Sequence, residues 1–237
     1  MQNLLPIHAQ LENLIKDKIA SGEYAMGNPL PSERKMAEAY GINRLTVRAA
    51  LKNLQKEGLI NTIHGKGSFV CAVKMRLSFS AIRGFGAQLK EQGVAHTNQV
   101  LFAQQVPAGY VLSKQFEVEK GYPLFRLIRL RFGNGHALSI DDTFVRYGAI
   151  RDIEQIDFSV ASLYTSFEQN GIHLAKALQM LSVQNMYGES ARLLEEPEGA
   201  PVFCINHKVF DSDDQLVEYT LSYISLSHSS ITSYLKK

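Results

Sequence analysis

Residues 30–54 read Leu30-Pro-Ser-Glu-Arg-Lys-Met-Ala-Glu-Ala-Tyr-Gly-Ile-Asn-Arg-Leu-Thr-Val-Arg-Ala-Ala-Leu-Lys-Asn-Leu54, and residues 64–70 read His64-Gly-Lys-Gly-Ser-Phe-Val70. These two stretches decide the fold of the first third of the chain. Ser32 follows Pro31 and can accept a hydrogen bond from an orphan N–H of a helix that starts behind it. Met36, Ala37 and Tyr40 give that helix an apolar stripe. Gly41 ends it where a left-handed residue costs least. Asn43 then caps a second helix, Arg44 to Glu57, in which Val47, Ala50, Leu51 and Leu54 recur at helical spacing and face inward. Arg44, Thr46, Arg48 and Lys52 are left for the outer face, and Gly58 stops the helix. Leu59 to Ile63 and Ser68 to Val70 read as strands joined by His64-Gly-Lys-Gly67. An amphipathic helix precedes them, from about Ile7 to Ser21, with Ile7, Leu11, Leu14, Ile15 and Ile19 apolar.

Helix, turn, helix and glycine-tipped hairpin, in that order, make a winged helix-turn-helix, a unit shaped to enter a DNA groove. Charge placement agrees. Residues 1–70 hold nine Lys/Arg against six acids, a net of +3, and the remainder hold 16 against 17. A positive excess concentrated in the first third suits a phosphate-contacting module. Within it Arg34 and Arg44 are expected to read base edges, and Thr46 and Arg48 to contact phosphate. Gly65, Lys66 and Gly67 are expected to bring the wing to the minor groove. Ser32, Asn43 and His64 complete the candidate DNA-facing set. One winged helix buries too little surface for tight specific binding, so a homodimer on a two-fold symmetric double-stranded operator is expected.

The linked motifs Leu-Pro-Ser-Glu-Arg at 30–34, Asn-Arg-Leu-Thr-Val-Arg-Ala-Ala-Leu at 43–51, Glu-Gly-Leu-Ile at 57–60 and His-Gly-Lys-Gly-Ser-Phe-Val at 64–70 resemble the DNA-binding domain of the GntR family of bacterial transcription regulators. The resemblance implies a ligand-responsive regulator, most simply a repressor released by a metabolite.

With 237 residues and a hydrophobic share of 45%, the chain can bury two packed cores. No apolar run approaches the length of a membrane span, and the first residues lack the layout of a secretory signal. A cytoplasmic protein without a membrane partner is expected. The two cysteines, Cys71 and Cys204, form neither a disulfide framework nor a metal cluster. The seven histidines show no His-x-x-x-His or His/Cys clustering, so neither a metal nor a cofactor is expected. The DNA-binding domain is expected over residues 1–70, an extended linker over 71–77, and a second domain, for effector binding and dimerisation, over 78–237.

In that second domain the pattern changes to strands mixed with short helices. Ile82 to Gln92 reads as a helix or turn-helix ending at Gly93, and Asn98 to Val106 as a strand. Leu124 to Phe132 and Ala137 to Val145 form a hairpin around Gly133-Asn-Gly135, an Asn-Gly turn signal. Val160 to Asn170 reads as a helix, with Ser162 placed to cap its turn from Leu163. Ala177 to Asn185 reads as a strand and Gly188 to Glu195 as a helix. Val202 to Asp211 and Gln215 to Ser225 form a last hairpin around Ser212-Asp-Asp214. The count predicts an α+β domain with a mostly antiparallel sheet.

Arg129 and Arg131 lie two apart on a strand and so share a face. Two guanidiniums aimed at one spot repel unless an anion joins them, and phosphate or carboxylate satisfies both with charge-assisted hydrogen bonds. Ser162, at a helix start with free N–H groups, adds donors, and Tyr164 adds a hydroxyl. On the residues alone the alternatives stay open: a solvated sheet face for the arginines, a plain cap for Ser162, a solvated pair for Asp141 with Asp142.

Residues 78–225 are similar to the effector domain of the HutC-like branch of the GntR family, the UTRA domain, which shares its fold with chorismate lyase. The motifs are Gly84-Phe85 before Leu89 and Gly93, Arg129-Leu-Arg131, Ala137-Leu-Ser-Ile-Asp-Asp142, Ser162-Leu-Tyr164 and Val217-Glu-Tyr-Thr220. The resemblance implies that Arg129, Arg131, Ser162 and Tyr164 hold the anionic end of a small metabolite. Asp141 and Glu218 would accept hydrogen bonds from its hydroxyl or amine groups, and Arg83 and the Gly84 backbone would close over it. Phe85 joins the effector-binding set, while on the residues alone it reads most simply as core. Tyr223 stands nearest to the tyrosine-containing segment with which the family ends. A phosphorylated sugar or amino sugar is the first expectation.

Two other readings compete. One is a lyase- or hydrolase-type enzyme carrying a DNA-binding appendage. Against it, no nucleophile–base constellation, Gly-rich phosphate loop or metal set is visible, and a shared fold does not transmit activity. No catalytic residue is therefore expected. The other is a constitutive DNA-binding protein whose second domain only dimerises.

Overall fold

The structure, a computed structural model, describes residues 5–25, 27–63, 65–71, 75–78 and 82–232. The chain divides into two compact units, residues 1–74 and 75–237.

The first unit runs α1 (Ile7–Ala20), α2 (Glu33–Tyr40), α3 (Arg44–Lys56) and a hairpin of β1 (Ile60–Ile63) and β2 (Gly67–Val70). The start signals act as read. Ser32 Oγ accepts from Lys35 N at 3.3 Å, and Asn43 Oδ1 accepts from Leu45 N at 2.8 Å. Gly41 takes the left-handed conformation at φ 64°, which a side chain would strain. Leu11, Ile15, Met36, Val47, Leu51, Leu54, Ile60 and Val70 close one core. Ile7 and Leu14 stay exposed. Only the line of Leu11, Ile15 and Ile19 on α1 meets that core. The segment before α2 extends the wing: Leu30 N donates to Ser68 O at 2.7 Å, and Val70 N donates to Asn28 O at 3.0 Å.

The second unit begins with β3 (Met75–Ser78), followed by α4 (Phe85–Glu91), β4 (His96–Pro107), α5 (Tyr110–Phe116), β5 (Pro123–Gly133) and β6 (His136–Arg146). A short 3-10 turn (Ile153–Gln155) leads to α6 (Leu163–Gln169), β7 (Leu174–Asn185), α7 (Gly188–Leu193), β8 (Pro201–Asp211), β9 (Leu216–Ser225) and β10 (Ser229–Thr232). Six strands form one sheet in the order β4-β5-β6-β9-β8-β7, every pair antiparallel, while β3 and β10 pair in parallel. The domain is α+β.

Period-2 alternation decides what each face of the sheet carries. On β5, Phe125 and Leu127 pack with Leu163 and Phe167 of α6 on one face. Leu124 packs with Phe116 of α5 on the other, and Leu130 lies with Ala191 of α7. Arg129 and Arg131 continue the row of Phe125 and Leu127. The β5–β6 turn is the expected Asn-Gly pair, with Asn134 at φ 50° and Gly135 at φ 83°. Gly133 beside it has a different reason for being glycine: a Cβ there would stand 2.7 Å from Leu138 Cδ1 and 2.8 Å from Met75 Cε.

Two expectations are corrected. Met75–Leu77, expected in the linker, is strand paired to β10, so the second unit begins at Met75. Linker residues 72–74 lie outside the described residues. The helix expected from Val160 starts at Leu163 because the Ser162 hydroxyl accepts from Thr165 N at 3.4 Å, while Asp157 caps a separate turn through Ser159 N at 2.9 Å. α5 was not foreseen.

Candidate functional site

On the first unit, α3 presents Arg44, Arg48 and Lys52 to solvent, with Thr46 half-buried beside them. The arginines are not independent. Arg48 makes a bidentate pair with Glu33 at 2.9 and 2.8 Å, and Arg44 reaches the same carboxylate at 3.7 Å. Hydrogen bonds from Arg48, then the charges of Arg48 and Arg44, outweigh partial burial and hold the Glu33 carboxyl below its ordinary value. Arg34 pairs with Glu38 at 3.1 Å. Gly65, Lys66 and Gly67 are exposed at the wing tip, where Lys66 N donates to Ile63 O at 3.0 Å. The side chains of Ser32 and Asn43 are occupied as helix caps. His64 lies outside the described residues. Sequence reading passed over Leu45, which is 69% exposed at the start of α3 although its residue type is usually buried. It stands beside Arg44 on the same exposed helix start.

The second unit encloses a cavity of about 590 Å³. Its floor is the sheet face carrying Arg129, Arg131, Asp141, Thr143, Glu218 and Thr220; α4 with the chain before it, and the start of α6, wall it. Nine of the ten expected residues line it: Arg83, Gly84, Phe85, Arg129, Arg131, Asp141, Ser162, Tyr164 and Glu218. Tyr223 does not. Glu218, Thr220 and Ser222 of β9 face the cavity, and by strand parity Tyr223 packs with Leu130, Ile140 and Leu194 on the opposite face. The sequence reading missed His96, Asn98, Gln179 and His207. His207 stands between Gln179 Nε2 at 2.6 Å and the Tyr164 hydroxyl at 3.3 Å. None of the four belongs to a local motif; each is brought in by strand pairing or by packing across the sheet.

The polar groups of the floor are buried and unequally satisfied. Arg131 donates from Nε to Asp141 and from one terminal nitrogen to Asn98 Oδ1 at 3.1 Å, and its guanidinium lies 5.1 Å from the centre of the Phe85 ring. So the anion that joins Arg131 is internal, and Asp141 is engaged rather than free. Burial works against the Asp141 carboxylate, but the charge of Arg131, its hydrogen bond and the charge of Arg129 outweigh it and hold the group below its ordinary value. Arg129 is 4% exposed and its Nε has no hydrogen-bond partner. Burial, then the like charge of Arg131, pulls its pKa down to about 9, so it remains a cation at neutral pH. Glu218 accepts from the Thr220 hydroxyl at 2.6 Å through Oε1, while its Oε2 is buried without a partner. Burial, then the charge of Glu218, pushes the Tyr164 hydroxyl well up, which keeps it a proton donor. Ser162 caps α6, and Arg83 pairs with Glu91 at the rim.

A winged helix-turn-helix joined to an antiparallel α+β domain with a charged cavity defines a DNA-binding transcription regulator. Residues 7–70 match the family model for bacterial regulatory proteins of the gntR family, and residues 91–229 match the UTRA domain. The chain is 28% identical over 222 residues to the HTH-type transcriptional repressor NagR of Bacillus subtilis (strain 168), covering 93% of this chain and 91% of that protein. It is 23% identical over 227 residues to the probable fructoselysine utilization operon transcriptional repressor of Escherichia coli (strain K12), covering 95% and 93%. The crystal structure of PhnF from Mycobacterium smegmatis superposes with a TM-score of 0.85 at 23% identity, covering 98% of this chain and 99% of that one. The chain belongs to the GntR family, HutC type with a UTRA domain, and is a transcriptional repressor of that kind. The enzyme reading is set aside, because the relatives are DNA-binding regulators.

Proposed function

We propose that the protein is a cytoplasmic homodimeric repressor of a two-fold symmetric operator, and that a small anionic metabolite held in the 590 Å³ cavity changes its DNA affinity. A phosphorylated sugar or amino sugar is the first choice. One observation carries this reading: a buried cation with an unused donor, Arg129 Nε, and a buried anion with an unused acceptor, Glu218 Oε2, line the same cavity. Unpaired buried polar atoms are costly. A ligand carrying an anionic oxygen for Arg129 and a hydroxyl or ammonium donor for Glu218 satisfies both. A purely apolar tail would leave both unsatisfied. The volume suits a compact polar metabolite.

Support for the dimer comes from β7. This edge strand of twelve residues exposes Leu178, Met180, Leu181 and Val183, and a long apolar edge is covered in a well-behaved protein. Among the described residues no helix is long and apolar enough to cross a membrane. The DNA-facing roles proposed are base reading by Arg34 and Arg44, phosphate contact by Thr46, Arg48 and Lys66, and close approach by Gly65 and Gly67.

The test is a thermal-shift screen with sugar phosphates, amino-sugar phosphates, phosphonates and small carboxylates. Calorimetry of each hit and operator binding with and without it follow. A phosphorylated sugar or amino sugar that binds without turnover and changes operator affinity is the expected outcome; the usual coupling is about 1–3 kcal/mol. Tight ligand binding with unchanged operator affinity would refute the switch, because a ligand shifts only states that it distinguishes.

A further inference from the structure

Three side chains distant in sequence meet on the second unit outside the cavity. His136 opens β6 at the tip of the β5–β6 hairpin, Glu195 follows α7, and His228 ends the turn before β10. One imidazole nitrogen from each histidine and a carboxylate oxygen all lie within 4.8 Å of one another. The two rings are stacked, 4.5 Å apart with 12° between their planes, and His136 Nδ1 is 3.9 Å from Glu195 Oε2. Tetrahedral coordination with metal–nitrogen bonds near 2.1 Å needs donors ~3.4 Å apart. The two rings must turn out of their stack for both in-plane lone pairs to point at one ion; His136 and Glu195 are exposed and have room to turn toward the half-buried His228.

The backbone under the three groups is already tied. Glu196, next to Glu195, accepts from Ser225 Oγ at 2.5 Å and from Ser227 Oγ at 3.0 Å. That fixes the turn leading into His228, whose N–H donates to Ser225 Oγ at 3.2 Å. The hairpin tip is tied where Asn134 N donates to Ala95 O at 2.8 Å. Donors held on such supports lose little freedom when an ion arrives.

We propose that His136, Glu195 and His228 form a binding site for one divalent transition-metal ion of the Zn²⁺, Ni²⁺ or Cu²⁺ class, with water completing its coordination. Two imidazoles and one carboxylate favour such ions over Mg²⁺ and Ca²⁺, which take mostly oxygen ligands. Sequence spacing gave no sign of the site because each donor comes from a different segment. The ion would cross-link the hairpin tip, the exit of α7 and the turn whose His228 carbonyl accepts from Met75 N at 2.8 Å, where the second unit begins.

The test is calorimetric titration of the reduced, untagged full chain with Zn²⁺, for the wild type, H136Q, H228Q, E195Q and H173Q. His173, an exposed histidine elsewhere, serves as the control. One equivalent should bind to the wild type and to H173Q alike. Affinity should fall roughly tenfold or more in H136Q and H228Q, at least as much as loss of a supporting partner costs at a metal site. Bound Co²⁺ in the wild type should show visible d–d absorption without a thiolate charge-transfer band. Wild-type affinity in H136Q and H228Q would overturn the assignment. So would a Co²⁺ thiolate band that C71S or C204S removes.

Discussion

Arg129 and Glu218 are the residues where stability and the proposed function pull apart. Arg129 is a buried cation whose Nε has no hydrogen-bond partner among the described residues. A buried charge of this kind weighs against folding, and an apolar replacement of similar length is often neutral or stabilising. Arg129→Met is expected to leave ligand-free stability unchanged or raise it by about 1–2 kcal/mol, while abolishing binding of the anionic ligand. Urea unfolding and calorimetry on the same variant check both halves; a variant that is destabilised and still binds would remove Arg129 from the site. Asp141 behaves in the opposite way. Its loss strands Arg131 beside Arg129, so Asp141→Asn should cost about 3–5 kcal/mol. The sign of its pH dependence follows from its lowered folded-state pKa. The stabilisation is present above the ordinary value of 3.8 and is lost as pH falls from there toward the folded-state value. The acid limb of stability below about pH 4 should therefore be shallower in Asp141→Asn than in the wild type. Equal slopes in the two proteins would show that the carboxylate carries no such linkage.

At the scale of elements, α2 supplies α3 with a counter-charge. Glu33 holds Arg48 by two hydrogen bonds and reaches Arg44. In Glu33→Gln the Arg48 guanidinium is released to phosphate and Arg44 loses its orienting charge, so binding to random duplex should tighten and its salt slope steepen by about one phosphate contact. The preference for a selected operator over random DNA should shrink. Anisotropy titrations at several salt concentrations measure this, and an unchanged operator-to-random ratio would exclude an orienting role for Glu33. The same elements show what was legible in the sequence. Ser32, Asn43, Gly41 and the Asn134-Gly135 turn act within a few residues of themselves, so α2, α3 and the β5–β6 hairpin were readable directly. The cavity face followed from Arg129 and Arg131 sharing strand parity. Tyr223 was misplaced because parity on β9 sets it opposite Glu218, and a shift of one residue changes faces. The β3–β10 pair escaped because its partners lie some 150 residues apart. His207 and Gln179 joined the site through sheet order, which short-range patterns do not encode.

At the scale of the whole molecule, β7 is the edge on which dimerisation is argued. Met180→Lys with Val183→Lys should turn a dimer into a monomer at micromolar concentration and weaken operator binding, because each half-site needs its own winged helix. Sedimentation of the wild type and the double variant decides this; a monomeric wild type at that concentration would rule out the proposed assembly. The parallel pairing of β3 with β10 carries a different consequence, one that concerns synthesis. β3 is made early in the second unit, and its partner leaves the ribosome only after the whole six-stranded sheet. The winged domain, whose core cluster is built from residues 11–70, can fold on the nascent chain while the second domain still waits for its last strand. During that interval the winged domain stands folded ahead of the domain proposed to pair and regulate it. Chains truncated before Ser229 should extend that state indefinitely, with β3 unpaired and exposed to aggregation.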